Sequence, residues 1–147
     1  MLNILITENR VQIVDSVSSW EESVRLLCTP LLDDGSIEPR YVDEIIKTTN
    51  EIGPYYVLAP NIAMPHARPE NGVNKSGLAI LVVRDGVNFN SEENDPVKLL
   101  LLLAANDSDK HIELIQSISE FFGNDVDVNE VITSKNISDV MNIIKKY

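Results

Sequence analysis

The amino-acid sequence predicts an α/β fold in which a β-sheet carries helices on both faces, formed as a single domain over residues 1–147. Three observations predict it. The runs Leu78 to Val83 and Lys98 to Ala104 are almost continuously apolar, as strands covered on both sides are. Apolar residues recur at helical intervals both before and after them, so the order is helices, strands, helices. With 147 residues, 44% hydrophobic and 24% charged, the chain has the length and composition for one folded domain, and a helix-covered sheet is the economical way to bury two such strands.

Asn3 to Val17 mixes short apolar alternations, such as Val11 and Ile13, with polar residues and predicts one or two short strands. Ser19 and Glu22 then have capping-box spacing, and Trp20, Val24, Leu27, Cys28 and Leu31 define the apolar face of a first helix. Pro30 removes an internal hydrogen bond, so that helix is expected to kink or stop near Thr29, with Gly35 ending it at the latest. A second helix opens on Pro39, buries Val42, Ile45, Ile46 and Thr49, and stops at Gly53-Pro54. Short extended runs follow at Tyr56 to Ala59 and Ile62 to Met64. After the two apolar strands, helices are expected at Asp109 to Phe122, with Ile112, Ile115, Ile118 and Phe122 inward, and near Val128 to Thr133 and Ile137 to Lys146. Cys28, the single cysteine, falls on the apolar face of the first helix and reads as an inert core thiol.

The charge balance of 12 Lys plus Arg against 23 Asp plus Glu, a net −11 spread through every segment, would repel a phosphate backbone and excludes nucleic acid as the expected partner. The longest apolar run, Leu99 to Ala105, is far short of a membrane span, and no cationic leader precedes an apolar stretch at Met1. The expectation is a cytoplasmic protein with no direct membrane insertion.

The two histidines, His66 and His111, each lie beside an expected strand end. His66 sits in Ala59-Pro60-Asn61-Ile62-Ala63-Met64-Pro65-His66-Ala67-Arg68-Pro69-Glu70, where three prolines stiffen a turn after a short strand. An imidazole, with a reference pKa of about 6.5, is a good nucleophile toward phosphorus when a ring nitrogen is unprotonated. Arg68 could pair with an arriving anion, with a solvated turn arginine as the equally open alternative. On spacing alone, a solvated turn histidine is the favoured reading of His66. His111 follows the polar break Asn106 to Lys110, and with Ser108 or Asp109 as cap it would occupy the first turn of a helix, where free backbone donors favour an anion. A surface histidine without a partner remains the alternative there. No glycine-rich phosphate loop, multi-ligand metal pattern or nucleophile elbow is present, and no carboxylates stand out as a catalytic pair.

At Ile62-Ala63-Met64-Pro65-His66-Ala67 the sequence resembles the enzyme IIA family of the mannitol, fructose and ascorbate type, whose phosphorylated histidine follows such an apolar-Ala-apolar-Pro run. Gly53 to Pro60, the continuation through Glu70, and Ile37 to Val42 look most like the ascorbate-specific branch. The resemblance implies one phosphotransferase enzyme IIA domain over residues 1–147, a mixed β-sheet sandwiched between layers of α-helices. It implies a phosphocarrier in which His66 accepts a phosphoryl group from phosphorylated HPr, forms a tele-phosphohistidine and passes the group to enzyme IIB. A membrane IIC transporter is then an indirect partner, ascorbate uptake the expected service, and no cofactor or metal is needed. The family's second active-site histidine matches His111, in a phosphoryl-stabilising role. The mannitol branch has an upstream arginine whose place here, near Asn50, is neutral, which leaves Arg68 as the candidate substitute in binding the phosphoryl group. A IIA-like regulatory module, signalling to a transcription or nitrogen-control partner, is the alternative function. Transport is expected over signalling because the sequence reaches Tyr147 without an attached regulatory domain.

Overall fold

The computed structural model describes residues 2–106 and 108–147, with the side chains of 108–110 outside that description. The elements in chain order are α1 (Leu2–Leu5), β1 (Val11–Val14), α2 (Trp20–Asp33), α3 (Pro39–Ile52), β2 (Val57–Ala59), β3 (Ile62–Ala63), β4 (Gly77–Val87), β5 (Val97–Ala104), α4 (Ser108–Phe122), α5 (Asp125–Ile132) and α6 (Ile137–Ile144), with 3-10 turns at Glu8–Arg10 and Pro69–Asn71. The five strands form one mixed sheet in the order β1-β4-β5-β3-β2. The two apolar runs are its inner strands, antiparallel to each other, with Leu78 opposite Leu103 and Ile80 opposite Leu101. β1 runs parallel to β4, and β3 parallel to β5.

Alternation along the inner strands feeds two cores. Leu78, Ile80, Val82, Leu99, Leu101 and Leu103 face α1, α4, α5 and α6, where Leu114, Ile118, Phe121, Val131, Val140 and Ile144 complete the packing. Ala79, Leu81, Val83, Leu100, Leu102 and Ala104 face α2 and α3, meeting Val24, Leu27, Cys28, Leu31, Tyr41 and Ile45. Cys28 is fully buried in this second layer, and burial pushes its thiol up to about 12, so it is an inert core group. No described helix is long and apolar enough to cross a membrane.

Local signals account for most element ends. The Ser19 hydroxyl accepts from Glu22 N at 3.1 Å, while the Glu22 carboxylate reaches back to Ser18 N at 3.1 Å, a capping box displaced by one residue. Pro39 opens α3, and Gly53, at a φ of 92° that favours glycine, closes it by donating to Thr49 O. Of the one or two strands expected between Asn3 and Val17, β1 alone forms; Leu2 and Ile6 are buried through the short helix α1.

Two expectations are corrected. Of the kink or stop expected at Pro30, the stop does not occur: helix α2 runs on to Asp33, within the limit set by Gly35, and the Leu26 carbonyl that Pro30 leaves without an amide accepts the Gln12 side-chain amide at 2.7 Å. Gly35, at φ 78°, marks the turn beyond it. In α4, Ile112 is exposed rather than inward. The buried ridge is Leu114, Ile118 and Phe121, with Ile115 and Phe122 beside it, and Ile112 lies roughly 150° around the helix from that ridge at 100° per residue. The side chains of Ser108 and Asp109, the expected caps of this helix, lie outside that description.

Candidate functional site

The chain leaves β3 through Met64 and Pro65, which extend the sheet contact beyond the strand: Met64 N donates to Tyr56 O at 2.9 Å, and Leu103 N donates to Pro65 O at 3.2 Å. His66 therefore emerges at the C-terminal end of β5. Because β3 and β5 are parallel, this is the end of the sheet from which the chain enters α4. His111, half-buried, sits in the first turn of α4 on the flank of its buried ridge. The topology thus brings both histidines to one sheet end.

The imidazole of His66 is half-buried, and its Nδ1 lies 2.8 Å from the Met64 carbonyl oxygen. A carbonyl only accepts, so Nδ1 carries a proton, and in the neutral imidazole Nε2 then holds the lone pair. The Tyr55 ring stands edge-on to the imidazole, with centroids 5.4 Å apart and planes at 84°. Tyr55 in turn meets Tyr56 at 5.0 Å, Tyr56 meets Phe89 at 5.8 Å, and Phe89 meets Trp20 at 6.1 Å, so the ring beside His66 is backed by a row of aromatics leading to the start of α2.

The peptide bond after His66 is held at both polar atoms. The Tyr55 hydroxyl donates to His66 O, and Ala67 N donates to the Tyr41 hydroxyl at 3.0 Å. Tyr41 is fully buried on α3, and its own proton goes to Leu103 O at 2.8 Å, with Ala67 O at 3.2 Å as a second acceptor. Burial pushes the Tyr41 phenol well up, against the hydrogen bond with Ala67, so the hydroxyl stays protonated.

Arg68 is exposed, immediately before the Pro69–Asn71 turn, and its side chain makes no hydrogen bond or ion pair among the described residues. Arg40 is already engaged, donating to Glu70 O at 2.9 Å and pairing with Glu38 at 3.2 Å. Near the start of α4, Asn106 is fastened to the loop before β4: its amide donates to Ser76 Oγ at 3.1 Å, and its side chain to Asn74 O at 2.9 Å. Among the described residues, no cluster of His, Cys, Asp and Glu could hold a metal ion.

Residues 4–147 match the family of the phosphoenolpyruvate-dependent sugar phosphotransferase system, EIIA 2. The chain belongs to this enzyme IIA family. The mannitol-specific cryptic phosphotransferase enzyme IIA component of Escherichia coli K12 is 35% identical over 139 residues, covering 95% of this chain and 94% of that protein. The ascorbate-specific EIIA component of Salmonella choleraesuis is 32% identical over 143 residues, covering 97% and 93%. The solution structure of the mannitol-specific cryptic enzyme IIA CmtB from Escherichia coli superposes with a TM-score of 0.92 at 34% identity, covering 99% of both chains. The protein is thus an enzyme IIA phosphocarrier of a sugar phosphotransferase system, with that family's α/β architecture.

Sequence reasoning singled out His66, His111 and Arg68 for this IIA domain but not Tyr41, Tyr55 or the Met64 carbonyl. One signal was available: Tyr41 shares a helical face with Ile45 and Thr49, and a tyrosine on a buried face requires a partner for its hydroxyl.

Proposed function

We propose that His66 is the phosphoryl acceptor of this enzyme IIA, taking the group from phosphorylated HPr and giving it to an enzyme IIB that serves ascorbate uptake. The observation that carries the reading is the bond from His66 Nδ1 to Met64 O, which leaves Nε2 as the nucleophile. The Nε2 lone pair attacks phosphorus, the donor's N–P bond breaks, and its electron pair returns to the donor ring. The positive charge appearing on the His66 ring is stabilised at Nδ1–H by the Met64 carbonyl. Transfer to the acceptor group of IIB breaks the new Nε2–P bond and restores the free lone pair. His111, at the helix start on the same sheet end, supplies a donor to the phosphoryl oxygens, and Arg68 supplies a permanent cation in a protein of net charge −11. All these steps are positioning and electrostatics on the chain's own residues.

The ascorbate assignment is supported by the likeness of residues 53–70 to that branch and by the ascorbate-specific relative, with the mannitol-specific cryptic relative as its competitor. The carrier works in the cytoplasm, with a membrane IIC transporter served indirectly through IIB. Phosphorylation by enzyme I, HPr and labelled phosphoenolpyruvate tests the acceptor. The wild-type chain should take label and His66→Gln should take none while remaining folded; stable label in His66→Gln overturns the assignment. Presenting the labelled protein to ascorbate and mannitol IIB proteins decides the branch, with faster discharge expected to the ascorbate partner.

A further inference from the structure

We infer that Tyr41 and Tyr55 are positioning residues for phosphoryl transfer, acting as a two-sided clamp on the peptide bond between His66 and Ala67. The inference rests on His66 being the acceptor. A peptide unit is a rigid plane, so fixing its oxygen and its nitrogen fixes both atoms that orient the histidine's Cα. Tyr55, in the turn before β2, holds the oxygen, and Tyr41, on α3, the nitrogen. The ring's own bond to Met64 O fixes the remaining freedom of the side chain. Nothing in this arrangement needs the tyrosines to touch the phosphoryl group.

Tyr41 does more than hold one turn. Its hydroxyl accepts from Ala67 and donates to Leu103, the penultimate residue of β5, so one oxygen atom ties the His66 turn to the strand that leads into the His111 helix. It stays protonated because burial keeps the phenol neutral. Tyr55 is 38% exposed, yet its ring is braced by Tyr56 and stands against the imidazole. Loss of either hydroxyl frees the peptide plane to rotate and swings Nε2 off the line of attack. A misplacement on the order of 1 Å costs roughly 100-fold in a reaction that depends on alignment.

The test compares Tyr41→Phe and Tyr55→Phe with Tyr56→Phe. Tyr56 is also fully buried, and its hydroxyl lies 2.8 Å from Thr49 Oγ1, so its loss removes a buried hydroxyl bond without touching the peptide bond after His66. In single-turnover labelling from phosphorylated HPr, well below the melting temperature, Tyr41→Phe and Tyr55→Phe should each transfer roughly 10- to 100-fold more slowly at saturating donor. Their KM should be unchanged, and Tyr56→Phe should stay within about twofold of wild type. Nitrogen-15 NMR of the histidine ring, which needs no phosphoryl donor, should report a single Nδ1–H tautomer for His66 in wild type and tautomer averaging in the two clamp variants. Wild-type rates and an unaltered tautomer in Tyr41→Phe and Tyr55→Phe overturn the clamp, as does an equal loss of rate in Tyr56→Phe. Label in His66→Gln instead defeats the acceptor assignment, leaving the NMR arm to judge the clamp alone.

Discussion

The side-chain amide of Gln12 donates to the Leu26 carbonyl at 2.7 Å, occupying the acceptor that Pro30 strips of its helical partner. A residue on β1 thereby completes a helix lying over the sheet. Gln12→Leu should destabilise the protein by about 1 kcal/mol, the cost of an unsatisfied, partly buried carbonyl. In a Pro30→Ala background the restored amide takes over, and the same substitution should cost about 0.5 kcal/mol or less. Urea melts of the four proteins measure the coupling, and strict additivity would show that Gln12 contributes nothing through Leu26.

His111→Ala should still be phosphorylated on His66, but roughly 100-fold more slowly, the scale seen when one preorganised donor to a developing charge is removed. Quench-flow labelling measures this in both directions. Equal rates for variant and wild type, forward and reverse, would reduce His111 to a surface residue.

Arg68→Ala should slow transfer roughly 10-fold, about 1.4 kcal/mol of lost charge-assisted hydrogen bonding, and Arg68→Lys should recover only part of it, because an ammonium cannot reproduce the planar donor set. Raising ionic strength should narrow the gap, since Arg68 is exposed. An Arg68→Ala protein that transfers at the wild-type rate in low salt contradicts the cationic role.

Acid should strip a defined increment of stability. Burial pushes the Asp34 carboxyl up, but hydrogen bonds from Ser36 and from the Arg10 guanidinium outweigh it and hold the group at about 2, below its ordinary 3.8. A depressed folded-state value stabilises above the unfolded value and is lost as pH falls through the folded one. The contribution, on the order of 1–2 kcal/mol after solvent screening, should be complete above about pH 4 and vanish toward pH 2. Melting curves of wild type and Asp34→Asn across that range check it: their difference should shrink steadily toward pH 2.

What could be read ahead of the structure was whatever is encoded locally. Pro39 and Gly53 bracket α3, and the continuous run from Leu99 marks an inner strand, since both signals depend on near neighbours. The proposal for His66 as acceptor likewise starts from its flanking motif, Ile62 to Ala67. Pro30 misled because the group that rescues Leu26 O is 14 residues away on a strand. The Tyr41 hydroxyl was invisible for the same reason, its partners lying 26 and 62 residues further on. In α4, too many isoleucines fit a helical stripe, and only packing against the sheet selects Leu114, Ile118 and Phe121 over Ile112.

The sheet's two-sidedness makes the His66 turn answer to both cores at once. Met64, whose carbonyl holds the His66 ring, packs with the layer that carries α4, whereas Tyr41, which holds the peptide bond after His66, packs with the other. The turn is thus an arch footed on both layers and keyed at the Tyr41–Leu103 bond, so a substitution that repacks either layer reaches it.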